Sequence, residues 1–208
     1  MLRLIEWPER FEVDTIYMPT AVGMLLLDHI GKSGSEIKTL RRFVVSGEAL
    51  RIGPQHQQGL STLSACVYNQ YGPSETHVVS AYQVSQYDKD SVPIGKAIDG
   101  SVLYLLDSYL RPVPPGTIGE LYIGGAGLAI GYFRRPVLTA EKFIPNPFGT
   151  GRIYRTGDLA YSESNGEIHY LRRNDGQVKI RGFRVETGEI ENAIARQPGV
   201  VDASVIVD

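Results

Sequence analysis

The chain has 208 residues, with 21 basic and 23 acidic side chains and a formal net charge of -2. That balance argues against a nucleic-acid partner, because no basic surplus exists to release counterions from a phosphate backbone. A lone cysteine, Cys66, rules out an internal disulfide framework and a cysteine-rich zinc site. The length allows one large domain or two small ones with a sizeable core. Apolar runs fall far short of the ~20 residues a membrane span needs; Met24 to Leu27 is interrupted by Asp28 and His29. The start, Met1-Leu2-Arg3-Leu4-Ile5-Glu6-Trp7, lacks a basic-then-apolar secretion pattern, so the cytoplasm is the expected compartment and no membrane partner is expected.

In chain order, Ala21 to Ile30 reads as a helix, and Thr39 to Val45 and Ala65 to Asn69 read as buried strands. Each strand ends in a glycine turn, Ser46-Gly47-Glu48 and Tyr71-Gly72-Pro73. The pattern predicts a largely parallel sheet over residues 1–91, with ligands beyond the carboxyl ends of its strands. From Val92 short strands take over, at Val102 to Leu106, Glu120 to Ile123 and Tyr154 to Tyr161, with a helical turn at Thr139 to Phe143. Ser164-Asn165-Gly166 signals a hairpin before Ile168-His169-Tyr170, since Asn-Gly readily supplies positive φ. Residues 92–173 are therefore expected to form a small antiparallel β unit. Residues 174–208 read as the start of another αβ unit. There Gln177 to Arg181 is a strand, Thr187 an N-cap before a helix helped by Glu189 and Glu191, and Ala203 to Val207 a strand running into the chain end. A chain ending inside such a unit is expected to be cut short.

Two phosphate-binding patterns fail. Gly31-Lys32-Ser33 has Leu26 where a phosphate loop needs glycine, and Gly125-Ala126-Gly127 has Ile130 where a dinucleotide fingerprint needs its third. The four histidines, 29, 56, 77 and 169, have no metal-ligand spacing. Asn69 to Glu75 offers an aromatic for a purine, a hydroxyl for a phosphate and a carboxylate for Mg²⁺, or else a plain Tyr-Gly-Pro turn with a solvated glutamate. Asp158, in Tyr154-Arg155-Thr156-Gly157-Asp158-Leu159, is either an acceptor for ribose hydroxyls or part of a β-bulge with a local hydrogen bond. Leu171 to Gly182 is either a hinge with an arginine in reach of phosphate or a solvated linker.

In this order and spacing, the segments resemble the adenylate-forming (AMP-binding) enzymes, most closely the adenylation domains of nonribosomal peptide synthetases. The matching stretches are Ser46-Gly47-Glu48-Ala49-Leu50, Asn69 to Glu75, Val92-Pro93-Ile94-Gly95-Lys96, Gly119 to Gly125 with Gly131-Tyr132, Tyr154 to Leu159, and Gln177 to Glu191. The resemblance implies an α/β fold: part of the large core, a mixed sheet with helices plus a small β unit, then the start of a small α+β lid. It makes Tyr71 the adenine-stacking aromatic beside Gly72, with the Gly47-Glu48 backbone on the other face. Ser74 would touch phosphate, Glu75 would hold Mg²⁺, Asp158 would bind ribose, Arg173 would contact nucleotide, and Asp175 would be the hinge. Ile16, Val44, Ser46, Gln70, Val78 and Val79 would line part of an amino-acid side-chain pocket.

The implied reaction joins an amino-acid carboxylate to the α-phosphate of ATP and then passes the acyl group to a carrier domain's phosphopantetheine thiol, alongside other synthetase domains. The family's phosphate loop and amine-binding aspartate are expected upstream of residue 1, and its bridging lysine beyond residue 208, so the piece alone is expected to be inactive. Departures from the family pattern are Ile130 for arginine, Arg172 for glycine, Thr187 for leucine and Ser74 for threonine. An acyl- or aryl-CoA ligase shares the nucleotide motifs, and a non-catalytic interaction module is the reading from another class. The stretch Leu110 to Leu121 looks more like the synthetase branch.

Overall fold

The computed structural model describes residues 2–174, 177–180, 183–197, 199–200 and 202–205. The first part runs α1 (Leu2–Arg10), β1 (Thr15–Pro19), α2 (Thr20–Ser33), β2 (Arg42–Ser46), β3 (Arg51–Ile52), α3 (Pro54–Thr62), β4 (Cys66–Tyr71), β5 (Ser80–Gln83), β6 (Asp90–Ser91) and β7 (Lys96–Ala97). Five of the strands make one sheet in the order β1-β2-β4-β5-β7. Only β1, β2 and β4 run parallel; β5 and β7 pair antiparallel. The largely parallel sheet expected from the sequence is thus parallel over its first half alone. The reason is connection length: α2 and α3 provide the crossovers that parallel pairing demands, whereas the loop 72–79 is too short for one and the chain turns back.

Leu26, Leu27 and Ile30 of α2 are fully buried against Phe43, Val45 and Val67 on one sheet face, the centre of the largest core cluster. Each such side chain contributes roughly 1.5–3 kcal/mol by leaving water. Gly31-Lys32-Ser33 is the last turn of α2, where Lys32 pairs with Asp28 at 2.6 Å, so this segment is helix and not a phosphate cradle. Neither α1 nor β1 is evident in the sequence. Pro8 sits inside α1 and removes one helical N–H, and β1 is a mostly exposed edge strand without a continuous apolar run.

The second part holds β8 (Ser101–Leu106), β9 (Gly119–Gly125), α4 (Pro136–Lys142), β10 (Phe143–Pro145), β11 (Arg152–Ser162) and β12 (Ile168–Arg173). They form an antiparallel sheet in the order β10-β11-β9-β8, with β12 also on β11. The Asn-Gly hairpin lies where expected: Gly166 has φ +84, and Asn165 Oδ1 accepts the Glu167 N–H at 2.8 Å. The first sheet keeps β7 beyond residue 91, and the second begins at Ser101. Val79 packs with Ile123, Phe143 and Tyr154, and Ile94 with Leu121, Ala160 and Ile168, so two small cores join the sheets.

Beyond them β13 (Gln177–Ile180) and β14 (Phe183–Glu186) make a hairpin, and α5 (Thr187–Ala195) follows. Thr187 is the first helical residue rather than a cap outside the helix. Residues 203–205 are in no strand, which corrects the expected Ala203 to Val207 strand over its described part. No helix among the described residues is long and apolar enough to cross a membrane.

Candidate active site

β4 ends at the seam between the two sheets. Tyr71, the last residue of β4, donates its phenol to Asp158 Oδ2 on β11, a short hydrogen bond across 87 residues of chain. The other oxygen, Oδ1, accepts from Arg173 Nη1 at 3.0 Å, and the side chains of Asp158 and Arg173 are only 5% and 14% exposed. Asp158 is held there by a bulge. The β9–β11 register breaks between Arg155 and Leu159, Thr156 Oγ1 donates to Leu121 O at 2.6 Å, and the same oxygen accepts the Asp158 N–H at 2.9 Å. The bulge weighed as the plain reading of Asp158 therefore exists, and it is what aims the carboxylate out of the strand and into the seam.

Burial first, and the neighbouring Asp158 charge and hydrogen bond second, push the Tyr71 phenol well above its ordinary value. A phenol that keeps its proton more tightly when folded stabilises the fold fully below pH ~10 and ceases to do so as pH rises past that point. Tyr82 and Tyr122 are pushed up to about 12 and Tyr154 higher still, each chiefly by burial. Unfolding is therefore expected to set in steeply above pH 10, and Tyr71→Phe should make the alkaline limb of a pH–stability curve shallower. An unchanged limb would show that Tyr71 is not held as a buried donor.

Residues 72–79 form the loop that follows β4. Ser74 is exposed at its tip, whereas Glu75 is buried and accepts the Tyr132 hydroxyl at Oε1, 2.6 Å. Tyr132 O–H also lies 3.3 Å from Tyr154 O–H, inside the core that contains Val79 and touches Tyr71. The Glu75 carbonyl accepts the Ala129 N–H at 2.8 Å, so the 126–131 loop backs this turn. No group of three His, Cys, Asp or Glu that could hold a metal occurs among the described residues. The one fixed carboxylate of this turn, Glu75, nonetheless suits Mg²⁺, a hard ion that keeps waters and takes only one or two protein carboxylates.

The remaining expected residues divide. In the parallel register Val44 lies beside Tyr17 and Tyr68, and Ser46 beside Gln70, which puts Val44, Ser46 and Gln70 on one sheet face. Ile16 pairs with Phe43 and packs on the opposite, helix-covered face, because alternate strand residues point to opposite sides. The structure does not bring Ile16 to the other pocket residues; Tyr17 stands in that place and shares a short hydrogen bond with Ser46. Val79 is 1% exposed within the core between the sheets, and Val78 beside it is half-buried. Gly47, with φ +99, and Glu48 follow Ser46, so their turn neighbours Tyr71 at the adjacent strand end. Asp175 lies outside the described residues. The residues missed by the sequence reading are Tyr17, Thr156 and Tyr132. Tyr132 stood in a matching motif without a role, because its contact with Glu75 spans 57 residues.

Tyr71 and the Glu75 turn lie at the carboxyl end of the parallel strands, the end at which α/β sheets take their ligands, and Asp158 reaches Tyr71 from the second sheet. The family described as AMP-binding enzyme matches residues 2–133, and the chain belongs to that family. Its relatives put it on the adenylation-domain branch of nonribosomal peptide synthetases. The chain is 45% identical over 195 residues to tyrocidine synthase 3 of Brevibacillus parabrevis, covering 91% of the chain and 3% of that protein. It is 48% identical over 178 residues to the dimodular nonribosomal peptide synthase of Bacillus subtilis (strain 168), covering 83% of the chain and 7% of that protein. Among solved structures, PA1221, a nonribosomal peptide synthetase protein containing adenylation and PCP domains, superposes with a TM-score of 0.85 at 30% identity. That likeness covers 99% of the chain and 42% of PA1221. The chain thus spans a small part of the synthases it matches and under half of this structural neighbour.

Proposed function

We propose that this chain forms part of an enzyme that activates an amino acid with ATP for nonribosomal peptide synthesis. In the first half-reaction a carboxylate oxygen attacks the α-phosphorus, the bond to the β-phosphate oxygen breaks, and pyrophosphate leaves. In the second, the phosphopantetheine sulfur of a carrier domain attacks the acyl carbon and AMP leaves; the likeness to a protein containing adenylation and PCP domains supports this partner. The observation that carries the reading is the Tyr71–Asp158 hydrogen bond, which brings a flat ring and a buried carboxylate to one seam between two sheets.

Adenine stacks on Tyr71 beside Gly72, with the Gly47-Glu48 turn opposite. The ribose hydroxyls donate to Asp158, and Arg173, already on that carboxylate, contacts the nucleotide. Ser74 offers its hydroxyl to phosphate. Glu75, oriented by Tyr132, would hold Mg²⁺, which when bound neutralises phosphate charge as the leaving group departs. Chemistry at phosphorus is mainly positioning and charge stabilisation, and these residues position base, sugar and metal. The 174–208 segment opens the lid, with Asp175 as its hinge, and the exposed thiol of Cys66 suits the reducing cytoplasm.

The full-length protein is expected to exchange labelled pyrophosphate into ATP only when an amino acid is present, and the 208-residue chain alone is expected not to. Robust amino-acid-dependent exchange by the chain alone would contradict its being an incomplete site. Exchange driven by fatty or aryl acids, and by no amino acid, would make it an acyl-CoA-type ligase.

A further inference from the structure

We infer that Tyr71 is, through its phenol, a positioning residue for ribose recognition: by holding Asp158 it ties the place of the base to the place of the sugar. This rests on the nucleotide contacts proposed above. Stacking on adenine needs only a flat ring, which phenylalanine supplies without burying a hydroxyl. A hydroxyl taken out of water costs stability unless it finds a partner, and the Tyr71 phenol finds Asp158 Oδ2. The ring itself is held by other means. It packs against both small cores between the sheets, the one around Val79 and the one around Ile94. The hydroxyl is therefore not what keeps the ring in place.

What the hydroxyl does set is the carboxylate. The last torsion of an aspartate is broad and two-fold, so a single donor lets the group swing. Asp158 has a donor on each oxygen. Arg173 Nη1, from the paired position on β12, reaches Oδ1 at 3.0 Å, and Tyr71 reaches Oδ2. Thr156 fixes the Asp158 backbone to the second sheet through Leu121. Arg173 belongs to that same sheet, so it refers the carboxylate only to its own strand neighbours. Tyr71 belongs to the first sheet, and its ring is the surface on which adenine would lie. The hydrogen bond thereby fixes the spacing between the stacking ring and the sugar-binding carboxylate, as the glycosidic bond fixes it in the ligand. A vicinal diol can donate to both carboxylate oxygens only if the plane of that group is set, because hydrogen bonds weaken steeply off line. Burial first, and Asp158 second, hold the phenol well above its ordinary value, so it stays a donor throughout the neutral range.

The test compares the binding of AMP and of dideoxyadenosine monophosphate, which keeps base and phosphate but lacks both ribose hydroxyls, to the full-length protein. The native protein should favour AMP at least ~100-fold, about tenfold for each hydrogen bond to a charged acceptor. Tyr71→Phe should shrink that preference to under ~10-fold. Its affinity for the dideoxy compound should stay within about threefold of native, because the stacking ring remains. Tyr71→Trp keeps a flat ring but moves the donor, so it should show the same loss and serves if the phenylalanine variant fails to fold. An unchanged preference in a variant that still binds the dideoxy compound overturns the proposal. Equal loss of both ligands overturns it as well, because the phenol then acts on the fold or the stack and not on the sugar contact. A native protein that binds both ligands equally, or neither, removes the ribose reading of Asp158 itself, a result distinct from the other two.

Discussion

Asp158→Ala is expected to lower the unfolding temperature by roughly 10 °C and to abolish measurable AMP binding. Truncating one member of a buried, hydrogen-bonded ion pair costs about 3–5 kcal/mol, because the partner keeps its charge and loses its counterion. Here that partner is Arg173, and the Tyr71 phenol loses its acceptor by the same change. In a chain of this size each kcal/mol moves the midpoint by about 2–4 °C, which gives the stated shift. Asp158→Asn separates the two roles. Its amide oxygen still accepts from Tyr71, so stability should fall by only about 1–2 kcal/mol. Its amide N–H₂ turned toward Arg173 sets donor against donor, and its neutral oxygen is a weaker acceptor for two sugar hydroxyls. AMP affinity should therefore fall at least tenfold in the asparagine variant, a change calorimetry resolves. Affinity within twofold of the native value in Asp158→Ala would remove Asp158 from the nucleotide site.

The sequence exposed the local elements of this region better than the contacts between them. The strands at Arg42–Ser46 and Cys66–Tyr71 were readable because they are short apolar runs closed by glycine turns, and both end within two residues of the expected place. The hairpin at Asn165-Gly166 was readable for the same local reason. What needs two distant segments was not. Nothing near Asp158 announces that Tyr71 will meet its carboxylate, and nothing near Glu75 announces Tyr132. Ile16 shows the limit sharply: a motif match places a residue to within one position, but one position in a strand reverses the face. The face is decided by which neighbours find the helix-covered core, and there Phe43 and Val45 fix Ile16 and Met18 with them. The antiparallel return at β5 was hidden likewise, since an apolar run carries no direction.

Gly72→Ala is the second large effect, and it acts on the turn that carries Ser74 and Glu75. A Cβ at residue 72 would stand 1.8 Å from the His77 carbonyl oxygen, 2.6 Å from its carbon and 2.7 Å from the Val78 Cα. All three are backbone atoms, so no rotamer change relieves the clash and the loop itself must open. The loop is closed at its base by Val79 N–H to Tyr71 O at 2.9 Å and tied at its middle by Ala129 N–H to Glu75 O at 2.8 Å. Opening it strains or breaks one of these, and a stability loss of about 3 kcal/mol is expected, at the upper end of the usual range for forced overpacking. The functional signature should be selective. Asp158 and Arg173 sit on the other sheet, so weak AMP binding should persist, whereas the gain in ATP affinity on adding magnesium should disappear once Glu75 leaves the Tyr132 hydroxyl. Tyr132→Phe should reduce that gain without the steric cost, and Ser74→Ala, exposed at the tip, should leave stability within about 0.5 kcal/mol of native. A Gly72→Ala protein that keeps the full magnesium-dependent gain would show that Glu75 does not hold the ion, because the one carboxylate this turn positions would then be dispensable to it.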